Sequence, residues 1–271
     1  KISTTAPIAV GDSIFFAASD GVVRSLDART GKVRWSFATD GRVFYPPSYS
    51  SNRLFVGSAD GWVYALEAVT GKSLWRFRAA PVERRMPVYG RLSSTWPVAS
   101  GVLADKDVVY AAAGIANHDG TYVYGLDASS GRIVWQNTDS GTLGDNGEVN
   151  GVSVQGHLLL DGGKLYMAGG NVVSPAIYDA ETGRCLNVLS QADGPANLPP
   201  SLDRHWQMQR SSRGSELFLQ GNTVFTGGRM LYSEKQDGIS SRYNGNYSLQ
   251  AFSGDLVIRG DGQFIERRDP K

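Results

Sequence analysis

Apolar runs of strand length, each ended by a polar turn, recur along this chain. Trp62-Val63-Tyr64-Ala65-Leu66 is one such run, and after its turn the chain returns through an apolar stretch carrying Trp75. The runs are apolar at both alternating positions, which predicts strands buried on both sides. A run and its return predict a β-hairpin. The hairpin repeats: Leu26-Asp27-Ala28-Arg29-Thr30-Gly31-Lys32-Val33-Arg34-Trp35 is followed 40 residues later by Leu66-Glu67-Ala68-Val69-Thr70-Gly71-Lys72-Ser73-Leu74-Trp75. Leu126-Asp127-Ala128-Ser129-Ser130-Gly131-Arg132-Ile133-Val134-Trp135 comes 60 residues further on. Tyr178-Asp179-Ala180-Glu181-Thr182-Gly183-Arg184-Cys185 follows after 52, with Asn187 at the tryptophan position. A fifth copy, Leu249-Gln250-Ala251-Phe252-Ser253-Gly254, follows after 71 and keeps less of the pattern.

Each copy has the same local logic. The acid at the Asp27 position bonds backbone amides within the turn. The glycine, at Gly31, Gly71, Gly131 and Gly183, supplies a positive φ. Another strand pair precedes each hairpin, such as Pro7–Val10 and Ile14–Ala17 joined through Gly11-Asp12, or Val43–Tyr49 and Leu54–Gly57 joined through Ser51-Asn52. Four strands in ~40 residues make one propeller blade. The expected architecture is therefore all-β: one β-propeller domain over residues 1–271, built of four-stranded antiparallel blades. Blades are expected near 4–40, 41–80, 96–138, 150–190 and 214–262, with insertions at 79–95, 139–149, 191–213 and 229–246.

These residues resemble the quinoprotein-like propellers built on pyrroloquinoline quinone (PQQ) repeats. Their blade signature is a Gly, then Val-Tyr-Ala-Leu-Asp-Ala, then Thr-Gly-Lys, then Trp. The stretch from Gly61 to Trp75 matches it almost throughout. The resemblance covers residues 4–190 closely and 215–260 loosely, and the segment from Trp75 to Pro97 is similar to large secreted bacterial members of unassigned activity. It implies that Trp35, Trp75 and Trp135 are structural, docking between neighbouring blades in a WD40-like manner. It also implies a periplasmic, envelope or secreted location. It leaves activity open, because the family includes alcohol dehydrogenases, sugar dehydrogenases and a non-enzymatic scaffold of outer-membrane assembly.

Composition narrows the function classes. Of the 271 residues 33 are glycine, against an average usage of roughly 7%, as a chain of many tight turns requires. The formal net charge is +1, so there is no electrostatic case for nucleic acid. No apolar run approaches the ~18 residues of a membrane helix. Cys185 is the only cysteine, which excludes an intrachain disulfide and a Cys-rich zinc site. The chain starts at Lys1 and shows no signal-peptide pattern. Rings in this family usually close with seven or eight blades, so the expectation is part of a larger propeller, or a ring completed by another chain.

Length beyond the repeat period marks function better than the period does. The insertions fall on one expected face. The first holds Glu83, Arg84, Arg85, Tyr89 and Arg91, with Trp96 just beyond. Arginines near aromatics either grip a carboxylate or sugar, or brace the loop. The second holds Asp145, Asn146, Glu148 and Asn150, whose oxygens either ligate calcium or form a solvated turn. The third holds Arg204, His205, Trp206, Gln207, Gln209 and Arg210. Arg84, Arg85, Trp96, Asn146, His205, Trp206 and Arg210 are thus the candidate ligand-binding residues. A PQQ dehydrogenase of the alcohol type would bring PQQ and calcium, which are implied by resemblance alone. The adjacent cysteine pair and the haem motif of such enzymes are missing, as are a Gly-x-Ser-x-Gly elbow and a His-Glu-x-x-His helix. No catalytic or metal-binding residue is identified. The preferred function is a non-catalytic binding or scaffold module with a protein or carbohydrate ligand on the inserted-loop face. The alternative is a PQQ- and calcium-dependent alcohol dehydrogenase, or a fragment of one.

Overall fold

The computed structural model describes residues 2–143, 151–170 and 173–187 and, beyond them, the strands between Leu217 and Arg268. Strands β1 (Ile8–Val10), β2 (Ser13–Ala17), β3 (Val22–Asp27) and β4 (Val33–Ala38) form the first sheet in chain order. β5 (Ser48–Ser50), β6 (Arg53–Gly57), β7 (Trp62–Glu67) and β8 (Ser73–Arg78) form the second. A separate hairpin follows, β9 (Arg85–Val88) with β10 (Arg91–Ser94). The third sheet is β11 (Val102–Asp105), β12 (Val108–Ala113), β13 (Tyr122–Asp127) and β14 (Ile133–Asn137). The fourth is β15 (Leu158–Asp161), β16 (Lys164–Met167) and β17 (Ala176–Asp179), with a bridge from Tyr178 to Cys185 where an outer strand would run. Every pairing within these sheets is antiparallel.

The first four repeats each form one sheet, and the chain is an all-β propeller of antiparallel blades. The sequence expects a single blade over 214–262 with an insertion at 229–246. In the structure two sheets occupy that stretch. β18 (Leu217–Gln220), β19 (Thr223–Thr226), β20 (Met230–Ser233) and β21 (Gly238–Arg242) form one; β22 (Leu249–Ser253), β23 (Leu256–Gly260) and β24 (Ile265–Arg268) form the other. The expected insertion thus contains β20 and β21. Its short strands, Met230-Leu231-Tyr232-Ser233 and Gly238-Ile239-Ser240-Ser241-Arg242, carry no repeat signature by which to recognise them.

The two-sided apolar strands do what their pattern predicts. Leu54 and Val56 of β6 pack with Phe15, Ala17 and Val23 of the first sheet, whereas Phe55 between them packs with Val109 and Ala111 of the third. In β12, Val109 and Ala111 face back to the second sheet, and Tyr110 and Ala112 face forward to Leu165 and Met167 of the fourth. Tyr166 and Ile177 continue the series onto Leu217 and Val224. Each middle sheet is therefore a layer with core on both faces.

The tryptophans sit at these joints. Trp35 Nε1 donates to Ala68 O at 3.0 Å, Trp75 Nε1 to Ala128 O at 3.1 Å and Trp135 Nε1 to Ala180 O at 2.9 Å, each reaching the next sheet's turn. The pairing register shifts one residue before each tryptophan, between Ser25 and Leu26, Ala65 and Leu66, and Gly125 and Leu126. A bulge of this kind re-aims the side chain that follows it.

Candidate functional site

In an up-and-down blade the connections alternate ends. The turns after Asp27, Glu67, Asp127 and Asp179 lie at one end, the turn face. The links between second and third strands, and from one sheet to the next, lie at the other, the loop face. The β9–β10 hairpin belongs to the loop face.

A set of backbone, side-chain and ring contacts ties this hairpin down. Ser94 N donates to Ala59 O at 2.7 Å and Thr95 N to Arg84 O at 3.0 Å. Arg84 lies 4.6 Å over the Trp96 ring and donates from Nε to Thr95 Oγ1 at 3.1 Å. Trp96 is buried, donates to Asp119 O at 2.7 Å and meets Tyr122 edge-on. Arg85 pairs with Glu83 at 3.3 Å and with Asp40 at 3.9 Å. Of the candidate ligand-binding residues, the structure brings Arg84, Arg85 and Trp96 together at the base of the hairpin. Asn146, His205, Trp206 and Arg210 lie outside the described residues.

The tip of the hairpin is built differently. Val88 pairs with Arg91, leaving the two-residue loop Tyr89-Gly90, with φ of 47° and 76°. Both positive values mark the type I′ turn, which favours Asn-Gly. A tyrosine stands where asparagine is favoured, and it is 91% exposed. The tip folds back over the first two sheets: Arg42 donates from a terminal nitrogen to Tyr89 O at 3.2 Å, and Arg91 to Asp20 O at 3.2 Å. Between hairpin and support lies a cavity of about 130 Å³ lined by Arg42, Phe44, Val88, Tyr89, Arg91 and Leu92 among others. The Nε of Arg42 is buried and has no hydrogen-bond partner.

A second, larger concavity opens on the same face, with a volume of about 540 Å³. Its walls are the segments that enter the first strands of four successive sheets: Thr4–Ala6, Phe44–Pro46, Ala99, and Gln155 with His157. Tyr45 meets the His157 ring edge-on at 4.7 Å and packs its Cβ against Gly101. No sequence signal marks this site, because its residues are scattered over four repeats and fit no motif. Phe44, 51% exposed, borders both concavities.

Asp60 fastens the neighbouring links. Nearly fully buried, it accepts from Trp62 N at 2.9 Å, Tyr64 Oη at 2.7 Å and Asp40 N at 3.0 Å. Burial pushes its carboxyl up, against the pull of these hydrogen bonds. Burial and the nearby Asp60 charge likewise push the Tyr64 phenol up. Among the described residues no three His, Cys, Asp or Glu side chains are grouped to hold a metal.

Comparison with known proteins places this architecture. Residues 1–238 match the family described as outer membrane protein assembly factor BamB. The chain belongs to this PQQ-repeat propeller family. Curated proteins give no match by sequence. Among solved structures, BamB from Moraxella catarrhalis is similar at 18% identity and a TM-score of 0.63, over 96% of this chain and 74% of that one. The quinohemoprotein alcohol dehydrogenase ADHIIG from Pseudomonas putida HK5 is similar at 15% identity and a TM-score of 0.63, over 91% of this chain and 42% of that one. A europium-containing methanol dehydrogenase is similar at 17% identity and a TM-score of 0.52, over 68% of this chain and 41% of that one. The chain thus spans about three quarters of the BamB structure and about two fifths of each dehydrogenase. These likenesses show the fold.

The family's quinone chemistry can be tested against the residues in hand. A calcium site needs six to eight oxygen ligands, carboxylates prominent among them. The described walls of the larger concavity offer two threonine hydroxyls, one phenol, one amide and one imidazole, but no carboxylate. This set does not fit a PQQ–calcium pair.

Proposed function

We propose that this chain is a non-catalytic binding module of the cell envelope, which uses its loop face to hold a protein partner. The observation that carries this reading is the β9–β10 hairpin, an addition to the blade plan that holds large apolar side chains in solvent. Tyr89 and Leu92 are exposed on it, Val82 just before it and Phe44 beside it. Exposed apolar groups gathered around added structure mark interaction surfaces. The similarity to BamB, whose family description is an assembly factor, supports a protein partner over a small-molecule one. The envelope location rests on the same family resemblance.

The test is recovery of partners by the tagged protein from cells that express it. Val82→Glu and Gln155→Lys alter the loop face, and Val69→Glu alters an exposed site on the turn face. The proposal predicts loss of recovered partners with the first two and none with the third. Equal recovery by all three, or none by the unmodified chain, overturns it.

A second reading, a PQQ-dependent dehydrogenase, has only the size of the 540 Å³ concavity in its favour, since the described walls bring no carboxylate for calcium. Adding PQQ and calcium and following dye reduction with several alcohols decides it. Turnover would establish the enzyme.

A further inference from the structure

The cavity under the hairpin tip has a chemistry of its own. Its apolar walls are Phe44, Val88, Tyr89 and Leu92, and its charged walls are Arg42 and Arg91. Among the described residues neither arginine has a carboxylate within ion-pair distance; the ion pairs nearby belong to Arg24 and Arg85. Both arginines point one terminal nitrogen at a backbone carbonyl. The buried Nε of Arg42 remains an unmatched donor, and such groups are rare in native proteins.

The tyrosine at the tip adds a second observation. At a φ of 47°, Tyr89 holds a conformation that favours glycine and asparagine. The residue is 91% exposed, so packing within the chain offsets little of that strain. Strain of this kind motivates a functional hypothesis.

We propose that this cavity docks an acidic segment of the protein partner. One apolar side chain of that segment enters between Phe44 and Leu92, and flanking carboxylates reach Arg42 and Arg91. The inference rests on the protein-binding reading above and names the partner's chemistry. Size agrees: a roughly 150 Å³ apolar cavity accepts a benzene ring, and this one is about 130 Å³. Charge agrees too, since arginine pairs with carboxylates in a forked, directional way that lysine does not.

The probe is a capped peptide with a central leucine and two glutamates on each side, compared with the same peptide carrying lysines. Binding to the whole chain is followed by NMR chemical shifts. The acidic peptide is expected to perturb the amides of 42–44 and 88–93, and to bind at least tenfold more tightly than the basic one. Added salt should weaken it several-fold, as for partly exposed charges. Leu92→Glu should weaken it at least tenfold. Tyr89→Asn is the sharper variant: it places the favoured Asn-Gly pair in the turn, so Tm should rise by about 2–4 °C while peptide affinity falls. A purely structural tyrosine would give no loss of affinity. Equal binding of both peptides, no binding, or unchanged affinity in both variants overturns the inference. If Gln155→Lys still abolishes partner recovery while the hairpin variants do not, the docking cavity is wrong and the loop-face module stands.

Discussion

At the scale of single residues, one tryptophan and one glycine make each joint. A Cβ on Gly131 would come within 2.7 Å of the Trp75 ring, and the residue has a φ of 71°. Gly31 has nearly the same φ, 69°, but open space around the missing Cβ. The pair separates backbone strain from packing. Gly31→Ala should cost about 1 kcal/mol from the left-handed conformation alone. Gly131→Ala should cost clearly more in the same denaturant titration, because the ring must shift as well. Trp75→Ala should cost about 3–5 kcal/mol, as large aromatic truncations do. The turn acids yield a pH prediction. Hydrogen bonds from Ser129 and Ser130 hold the Asp127 carboxyl at about 2, below its ordinary 3.8. Its ionised form is favoured by folding, so its contribution is complete above about 4 and is lost as pH falls through 2. An NMR titration of the Asp127 carboxyl should show a midpoint near 2; one near 3.8 would contradict the turn geometry.

At the scale of elements, the repeated hairpins were legible because their chemistry is local. The acid, the glycine and the tryptophan sit at fixed offsets, and the Ser51-Asn52 turn between β5 and β6 appears with both φ values positive. The β9–β10 hairpin was not legible. Arg78–Thr95 reads only as surplus length, since Pro87 interrupts a strand pattern and Tyr89-Gly90 lacks the asparagine of a two-residue turn. The sequence also left open whether Arg84 and Trp96 grip a ligand or brace a loop. Their contacts with Thr95, Asp119 and each other brace the hairpin. Asp60 is the matching fastener for the link between the first two sheets. Asp60→Ala would leave the Trp62 and Asp40 amides and the Tyr64 hydroxyl without their acceptor. A loss of about 2–3 kcal/mol is expected in urea melts. Loss of less than about 0.5 kcal/mol would show that water replaces the carboxylate.

At the scale of the molecule, repetition decides the fold, and the proposed function rests on departures from repetition. Successive sheets share core residues on both faces, so the architecture follows from the two-sided apolar pattern once the repeat is recognised. The larger concavity could not be read in advance, because Thr4, Phe44, Tyr45, Gln155 and His157 become neighbours only when four sheets are arrayed side by side. The same holds for Arg42, which meets Tyr89 across 47 residues. Both features lie on one face, and the turn face repeats the same Asp/Glu-x-x-Thr/Ser-Gly chemistry over the first four sheets. A photo-reactive amino acid at Phe44, Val82 or Gln155, against one at Val69, tests this division most directly. The account predicts covalent capture of one protein partner from the first three positions and none from Val69. Capture from Val69 alone, or at equal yield from both faces, would contradict it.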